Sequence, residues 1–139
     1  MKFPYVEFLG QAEDRIFRPL VPVTFKVDDI TYKTYCLVDS GSDYCILPIQ
    51  LAGRFKLKLD PHTCYRMQGA DGNDFNVYKS PVEVEQIIEQ RGFRDINCKS
   101  VVYFSESSGT FLLGQSGFLN QLKVTMNGRS RNLELDLCT

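Results

Sequence analysis

Leu37-Val38-Asp39-Ser40-Gly41-Ser42-Asp43 is the stretch on which the reading of this chain turns. The residues before it, Ile30 to Val38 with Tyr32, Thr34 and Tyr35 among them, are rich in β-branched and aromatic side chains and read as a strand. A strand that ends on an aspartate aims the carboxylate off the end of the sheet, toward a cleft. The Ser40 hydroxyl that follows has hydrogen-bonding reach, locally or across to a partner. Gly41 permits a tight turn and a close backbone approach.

Working outward, strand signals dominate. Val21 to Val27 is an extended β-branched run, with Pro19 and Pro22 suited to its edge or start. Asp28-Asp29 reads as the turn joining it to Ile30–Val38. Tyr44 to Leu47 is a short apolar strand stopped by Pro48. Ile49 to Phe55 reads as a turn of helix ended by Gly53, and Leu57 and Leu59 alternate with polar residues as in a half-buried strand. Gly69-Ala70-Asp71-Gly72-Asn73 is a dense turn cluster between Cys64–Gln68 and Phe75–Tyr78, which predicts a hairpin with a polar, mobile tip. Val82–Ile88 and Ile96–Phe104 are two further strands, the first also tolerant of helix. Ser116 to Leu122 is the best helix, with Ser116 as its cap and Phe118, Leu119 and Leu122 on one face. Lys123–Met126 and Arg129–Leu137 flank Asn127-Gly128, a strong hairpin signal, and Leu133, Leu135 and Leu137 alternate with acids so that one face is buried. Short strands at this density predict an all-β sandwich or small closed barrel.

The stretch from Val38 to Leu47 resembles the hydrophobic-Asp-Ser/Thr-Gly motif of retropepsin-like aspartic proteases. Phe111-Leu112-Leu113-Gly114-Gln115, followed by the expected helix, is similar to the apolar-apolar-Gly segment of that family, whose glycine lets a strand pass close beneath the aspartate loop. The Gly69–Asn73 hairpin stands in the place of the family's flap. The resemblance covers roughly residues 17 to 122 and implies one domain over 1–139, with 123–139 a C-terminal hairpin extension. The implied fold is a small closed barrel of short antiparallel strands with one short C-terminal helix and a flap.

The resemblance implies an aspartic endopeptidase acting on a peptide or protein substrate. Asp39 is then the catalytic carboxylate, Ser40 and Gly41 support its loop, and Leu113 and Gly114 lie structurally near the site. Ser42, Asp43, Gly69, Ala70, Asp71 and Gly72 are the expected substrate contacts. Peptide hydrolysis of this class needs two carboxylates sharing one proton. The chain carries one such motif, so the second Asp39 is expected from a two-fold-related copy, with terminal strands holding the homodimer. Two departures stand out. Ser42 replaces a common alanine. Gln115 replaces the arginine that in the family pairs with the aspartate matching Asp43, and it cannot form that ion pair.

Composition narrows the alternatives. With 43% hydrophobic and 24% charged residues the chain is expected to be globular, and a net charge of −1 gives no reason for a nucleic-acid or membrane partner. Five cysteines (Cys36, Cys45, Cys64, Cys98 and Cys138) without a C-x-x-C pair, and one histidine, His62, predict neither a metal site nor a disulfide framework; no cofactor is expected. The start, Met-Lys-Phe-Pro-Tyr-Val-Glu, has no signal-peptide core, so a cytoplasmic location is expected. A serine or cysteine nucleophile would have His62 alone as base. The rival from another class is a catalytically silent peptide-binding or dimerisation module of the same fold.

Overall fold

In the computed structural model the described residues are 1–12, 14–107, 109 and 111–137. Fourteen strands are present among them. They are β1 (Lys2–Pro4), β2 (Val6–Leu9), β3 (Arg15–Arg18), β4 (Leu20–Val27), β5 (Ile30–Val38), β6 (Ile46–Pro48) and β7 (Cys64–Gln68), followed by β8 (Asp74–Lys79), β9 (Val84–Ile88), β10 (Ile96–Ser100), β11 (Tyr103–Ser105), β12 (Leu112–Leu113), β13 (Leu122–Asn127) and β14 (Asn132–Leu137). One α-helix, α1 (Ile49–Arg54), and two 3-10 turns complete the elements. The chain is therefore all-β in class, as its strand signals predict.

Nine strands form one sheet in the order β10-β9-β4-β5-β12-β6-β11-β8-β7. It curls into a half-barrel. Strand β4 shows why the curl has a dry inside: Val21, Val23, Phe25 and Val27 are buried and alternate with half-buried neighbours. Pro22, which has no N–H to give, lies outside the Thr24–Lys26 stretch that β9 pairs. Phe25, Phe104 and Phe118 are fully buried, each contributing about 1.5–3 kcal/mol by burial.

Helix α1 does not end at Gly53. It closes in a Schellman motif, with Lys56 N–H donating to Gly53 O at 3.1 Å and Leu57 N–H to Ala52 O at 2.9 Å. Lys56 takes the left-handed position with φ 56°. Leu57 and Leu59 are half-buried but lie outside any strand, contrary to the alternation of their sequence. The Ile96–Phe104 stretch is two strands, because the chain leaves β9 at Ser100 and crosses to β6 and β8. Ser80 anchors the crossing: its N–H donates to Val102 O, and its hydroxyl oxygen accepts from Val102 N–H.

The expected helix over Ser116–Leu122 is reduced to a 3-10 turn at Leu119–Gln121. Ser116 is not a cap: the turn follows Phe118 with no side-chain cap, while Ser116 N–H donates to Asp43 O and the residue bridges Tyr44 in parallel fashion. Gly117, at φ 104°, breaks any continuing helix. Phe118 and Leu122 are nonetheless buried together, as the face predicts.

The termini build a second sheet, β1-β14-β13. Its hairpin turn spans residues 128–131, since Asn127 and Asn132 are its last pair, and Asn127 Oδ1 accepts from Ser130 N–H. Leu133 and Leu135 are buried, whereas Leu137 is exposed, so the leucine stripe stops one residue short. Strand β14 is paired on both edges. The outer edge of β1 is taken by Gln90, whose amide accepts from Lys2 N–H at 3.0 Å and donates to Lys2 O at 2.7 Å. Strands β2 and β3 form a separate hairpin. Cys138 lies outside the described residues. No helix among them is long and apolar enough to cross a membrane.

Candidate active site

Strand β5 delivers Asp39 to the end of the sheet, between two partners. Parallel strand β12 pairs Leu112 with Leu37 and Leu113 with Val38, while β4 pairs Leu20 with Leu37. Three backbone bonds fix the delivery: Leu37 N–H to Phe111 O at 2.9 Å, Val38 N–H to Pro19 O at 3.0 Å, and Asp39 N–H to Leu113 O at 3.0 Å. Asp39 is thus clamped by its own main chain, with its side chain half-buried.

The loop then closes on itself. Gly41 N–H donates to Asp39 Oδ1 at 2.9 Å, and Ser42 N–H donates to Asp39 O at 3.1 Å. One carboxylate oxygen is held by the backbone. Gly41 has no left-handed φ here; what its missing side chain spares is contact with Asp39 Oδ1, 3.2 Å from where a Cβ would stand. Ser40 is exposed, and its hydroxyl has no hydrogen-bond partner among the described residues. Ser42 Oγ donates to Tyr44 O at 2.7 Å, which ties the loop to the start of the next segment.

Beneath the loop runs the segment Leu113-Gly114-Gln115-Ser116. Gln115 N–H donates to Ser42 O and Ser116 N–H to Asp43 O, both at 2.8 Å. Gln115 Nε2 donates to Ser40 O at 2.9 Å. The residue that cannot form an ion pair with Asp43 therefore does different work: its amide holds the main chain directly after the aspartate. Asp43 is exposed and contributes its backbone carbonyl. Gly114 makes the stacking of these two segments possible. A Cβ there would meet Tyr44 O at 2.3 Å and Ser42 O at 2.6 Å, both backbone atoms. Cys45, just beyond, is buried and its thiol donates to Ser116 O at 3.8 Å; burial pushes that thiol up to about 11.

The Gly69–Asn73 cluster forms the tip of the β7–β8 hairpin. The tip is heavily bonded within itself. Gly69 N–H donates to Asn73 O at 2.8 Å, Gly72 N–H to Gly69 O at 3.0 Å, and Gln68 Nε2 to Gly72 O at 3.2 Å. Asp71 accepts from Asn73 twice, from the backbone N–H at 2.9 Å and the side-chain amide at 3.1 Å. Those two bonds, backbone first, hold its carboxyl below the ordinary value. Gly72 takes φ 83°, which the turn requires. Ala70 is exposed beside it.

The structure brings Asp39, Ser40, Gly41, Ser42, Asp43, Leu113 and Gly114 into one bonded unit. It does not bond Gly69, Ala70, Asp71 or Gly72 to that unit among the described residues. What links loop and hairpin is aromatic, and the sequence reading did not single it out. Tyr44 packs on Tyr103 with ring centroids 4.7 Å apart, and Tyr103 meets Tyr65 of β7 edge-on at 6.2 Å. Tyr44 and Tyr65 are substantially exposed. The signal was Tyr44 itself, an aromatic residue directly after an acidic loop. The hairpin's base is tethered instead to the segment after β11, where Tyr78 Oη donates to Glu106 Oε1 at 2.9 Å. That bond is the leading cause that pushes the phenol up to about 12. Among the described residues no group of three or more His, Cys, Asp or Glu is arranged to hold a metal ion.

A family model described as aspartyl protease matches residues 22–116. The matched stretch is more than half of the chain and contains the aspartate loop, the β7–β8 hairpin and the Leu113–Ser116 segment. No curated protein matches the chain closely enough to count as a relative.

Proposed function

The chain belongs to the aspartyl protease family of the retropepsin-like type, and from that premise we propose that it is an aspartic endopeptidase whose Asp39 works with the Asp39 of a second copy. The observation that carries the reading is the clamped loop. Asp39 is fixed through its own N–H, through Gly41 N–H and through Gln115, while its carboxylate remains half-exposed at the end of the sheet. Catalysis by carboxylates depends on such positioning, because the reacting groups must be held before substrate arrives.

Two carboxylates brought face to face cannot both ionise, so the pair holds one proton. The ionised member takes a proton from a water, which attacks the scissile carbonyl carbon. The protonated member hydrogen-bonds the carbonyl oxygen. Collapse of the tetrahedral intermediate breaks the C–N bond, and a proton passes from the dyad to the leaving nitrogen. The pair titrates as a unit and gives a bell-shaped rate profile with an acidic to mildly acidic optimum. The Ser40 hydroxyl is exposed beside Asp39 and available to a partner loop. The tyrosines at 44, 65 and 103 offer the substrate an apolar shelf between loop and hairpin, which favours apolar or aromatic side chains there.

The site is incomplete without a second copy. Among the terminal strands β1 and β14 are poor dimer elements, because β14 is paired on both edges and β1 is sealed by Gln90. Among the described residues no strand pairs with the outer edge of β13, which supports pairing with the same edge of a second chain. Deleting residues 128–139 would remove β14 with the buried Leu133 and Leu135, so that truncation would test folding rather than association.

The test is hydrolysis of an unfolded protein at mildly acid pH by the wild type and by Asp39→Asn. The wild type should cleave and be blocked by a pepstatin-type inhibitor. The variant should be inactive with an unchanged circular dichroism spectrum. Inhibitor-sensitive cleavage by the variant would overturn the assignment. Tight peptide binding without turnover by the wild type would move the reading to a binding module.

A further inference from the structure

Away from the aspartate loop, an open depression of about 490 Å³ lies between the start of β5, helix α1 and the segment leading into β12. Its walls include Tyr32, Pro48, Leu51 and Phe111, and its polar edge is Gln50 and Arg54. None of these belongs to the Asp39–Asp43 loop or to the β7–β8 hairpin. Its volume is within the range of pockets that take small ligands.

The lining is an organised stack. Phe111 lies 6.1 Å from the fully buried ring of Phe25. Tyr32 is stacked on Phe111 at 6.0 Å with 12° between the planes. The Arg54 guanidinium lies over the Tyr32 ring, 5.1 Å from its centroid. The guanidinium carries its N–H donors in one plane, in the fork that matches a carboxylate. Arg54 is exposed and makes no ion pair among the described residues. A cation beside an apolar wall, in no ion pair among the described residues, selects an anion that carries an apolar group.

We propose that this depression binds a small aromatic or branched aliphatic carboxylate, with the apolar group against Tyr32, Leu51 and Phe111 and the carboxylate on Arg54. A neutral analogue loses the fork, and a cationic one is repelled by Arg54. The site stands independently of the proteolytic reading. It is nevertheless wired to the loop, since the Phe111 carbonyl that accepts Leu37 N–H sits two residues upstream of the one that accepts Asp39 N–H.

The probe is 3-phenylpropionate, titrated into the full chain and followed by calorimetry and by amide shifts in ¹⁵N-labelled protein. Saturable binding is expected, with a Kd roughly in the millimolar range for a ligand of this size. Shifts should centre on Tyr32, Leu51 and Arg54. The neutral alcohol 3-phenylpropan-1-ol should bind the wild type at least about tenfold more weakly, as should the acid to Arg54→Gln. Asp39→Asn should bind the acid like the wild type. The alcohol comparison needs no variant, so it decides the matter even if Arg54→Gln folds poorly. No saturable binding, equal affinity for acid and alcohol, or shifts centred on Ser40–Asp43 would each overturn the proposal.

Discussion

Replacing Gly114 by alanine tests how the site is held. The new Cβ would stand 2.3 Å from Tyr44 O and 2.6 Å from Ser42 O, against the 3.4 Å at which ordinary contact begins. Relief therefore needs a separation of about 1.1 Å between two main-chain segments, because no flexible side chain stands in the way. The bonds from Gln115 N–H to Ser42 O and from Ser116 N–H to Asp43 O are both 2.8 Å and would not survive such a shift. Two lost bonds at about 0.5–1.5 kcal/mol each, with about 1–3 kcal/mol of overpacking strain, give a loss of roughly 2–6 kcal/mol. The same displacement, passed to Asp39 through its loop, should lower kcat about 100-fold even where the protein stays folded. Urea unfolding followed by circular dichroism measures the first effect, and hydrolysis well below the unfolding midpoint measures the second. A Gly114→Ala protein within about 0.5 kcal/mol of wild type and equally active would refute the close-approach argument, since ordinary surface changes fall in that band.

Two other outcomes follow from the hairpin and its surroundings. The Asp71 carboxyl is depressed, so the order it gives the hairpin tip is fully present above the ordinary aspartate value of about 3.9 and is lost as pH falls through the lower folded value. The Asn73 amide shift should therefore titrate with a midpoint below that value; a midpoint at or above it would contradict the bonding at the tip. Tyr44→Ala should cost roughly tenfold in kcat/KM for substrates that place an aromatic side chain on the tyrosine shelf, mostly through KM, and little for substrates with a small residue there. Equal losses for both substrate sets would remove the shelf from substrate recognition.

The parts of this structure that were legible in the sequence are those where local pattern and tertiary demand agree. Val21, Val23, Phe25 and Val27 alternate because β4 has one dry face, and the Gly69–Asn73 cluster turns because its residues favour turns. Gly114 was legible only through the family resemblance, and the structure supplies the physical reason: the space it leaves is filled by backbone. The failures share a cause as well. Ser116 has the chemistry of a helix cap, but it is held in a parallel bridge to Tyr44, more than seventy residues away, and the turn begins only after Phe118. Leu57 and Leu59 alternate like a strand, yet among the described residues no strand pairs with them. Ile96–Phe104 reads as one strand, and its break at Ser100 is imposed by the sheet order, which puts β4, β5 and β12 between β9 and β6. Gln115 was read for the ion pair it lacks, and its bond to Ser40 O depends on a loop position that spacing does not reveal. The tyrosine shelf draws one ring from each of three distant segments, which is why a linear reading passed over it.

The central claim is that two Asp39 carboxylates from separate chains make one active site. Mixing wild type with Asp39→Asn at constant total concentration, after joint unfolding and refolding, tests it most directly. If only chains paired with an intact partner are active, hydrolysis falls with the square of the wild-type fraction, to about a quarter of full activity at equal parts. A linear fall, to one half at equal parts, would mean that a single chain carries the whole site and would contradict the account.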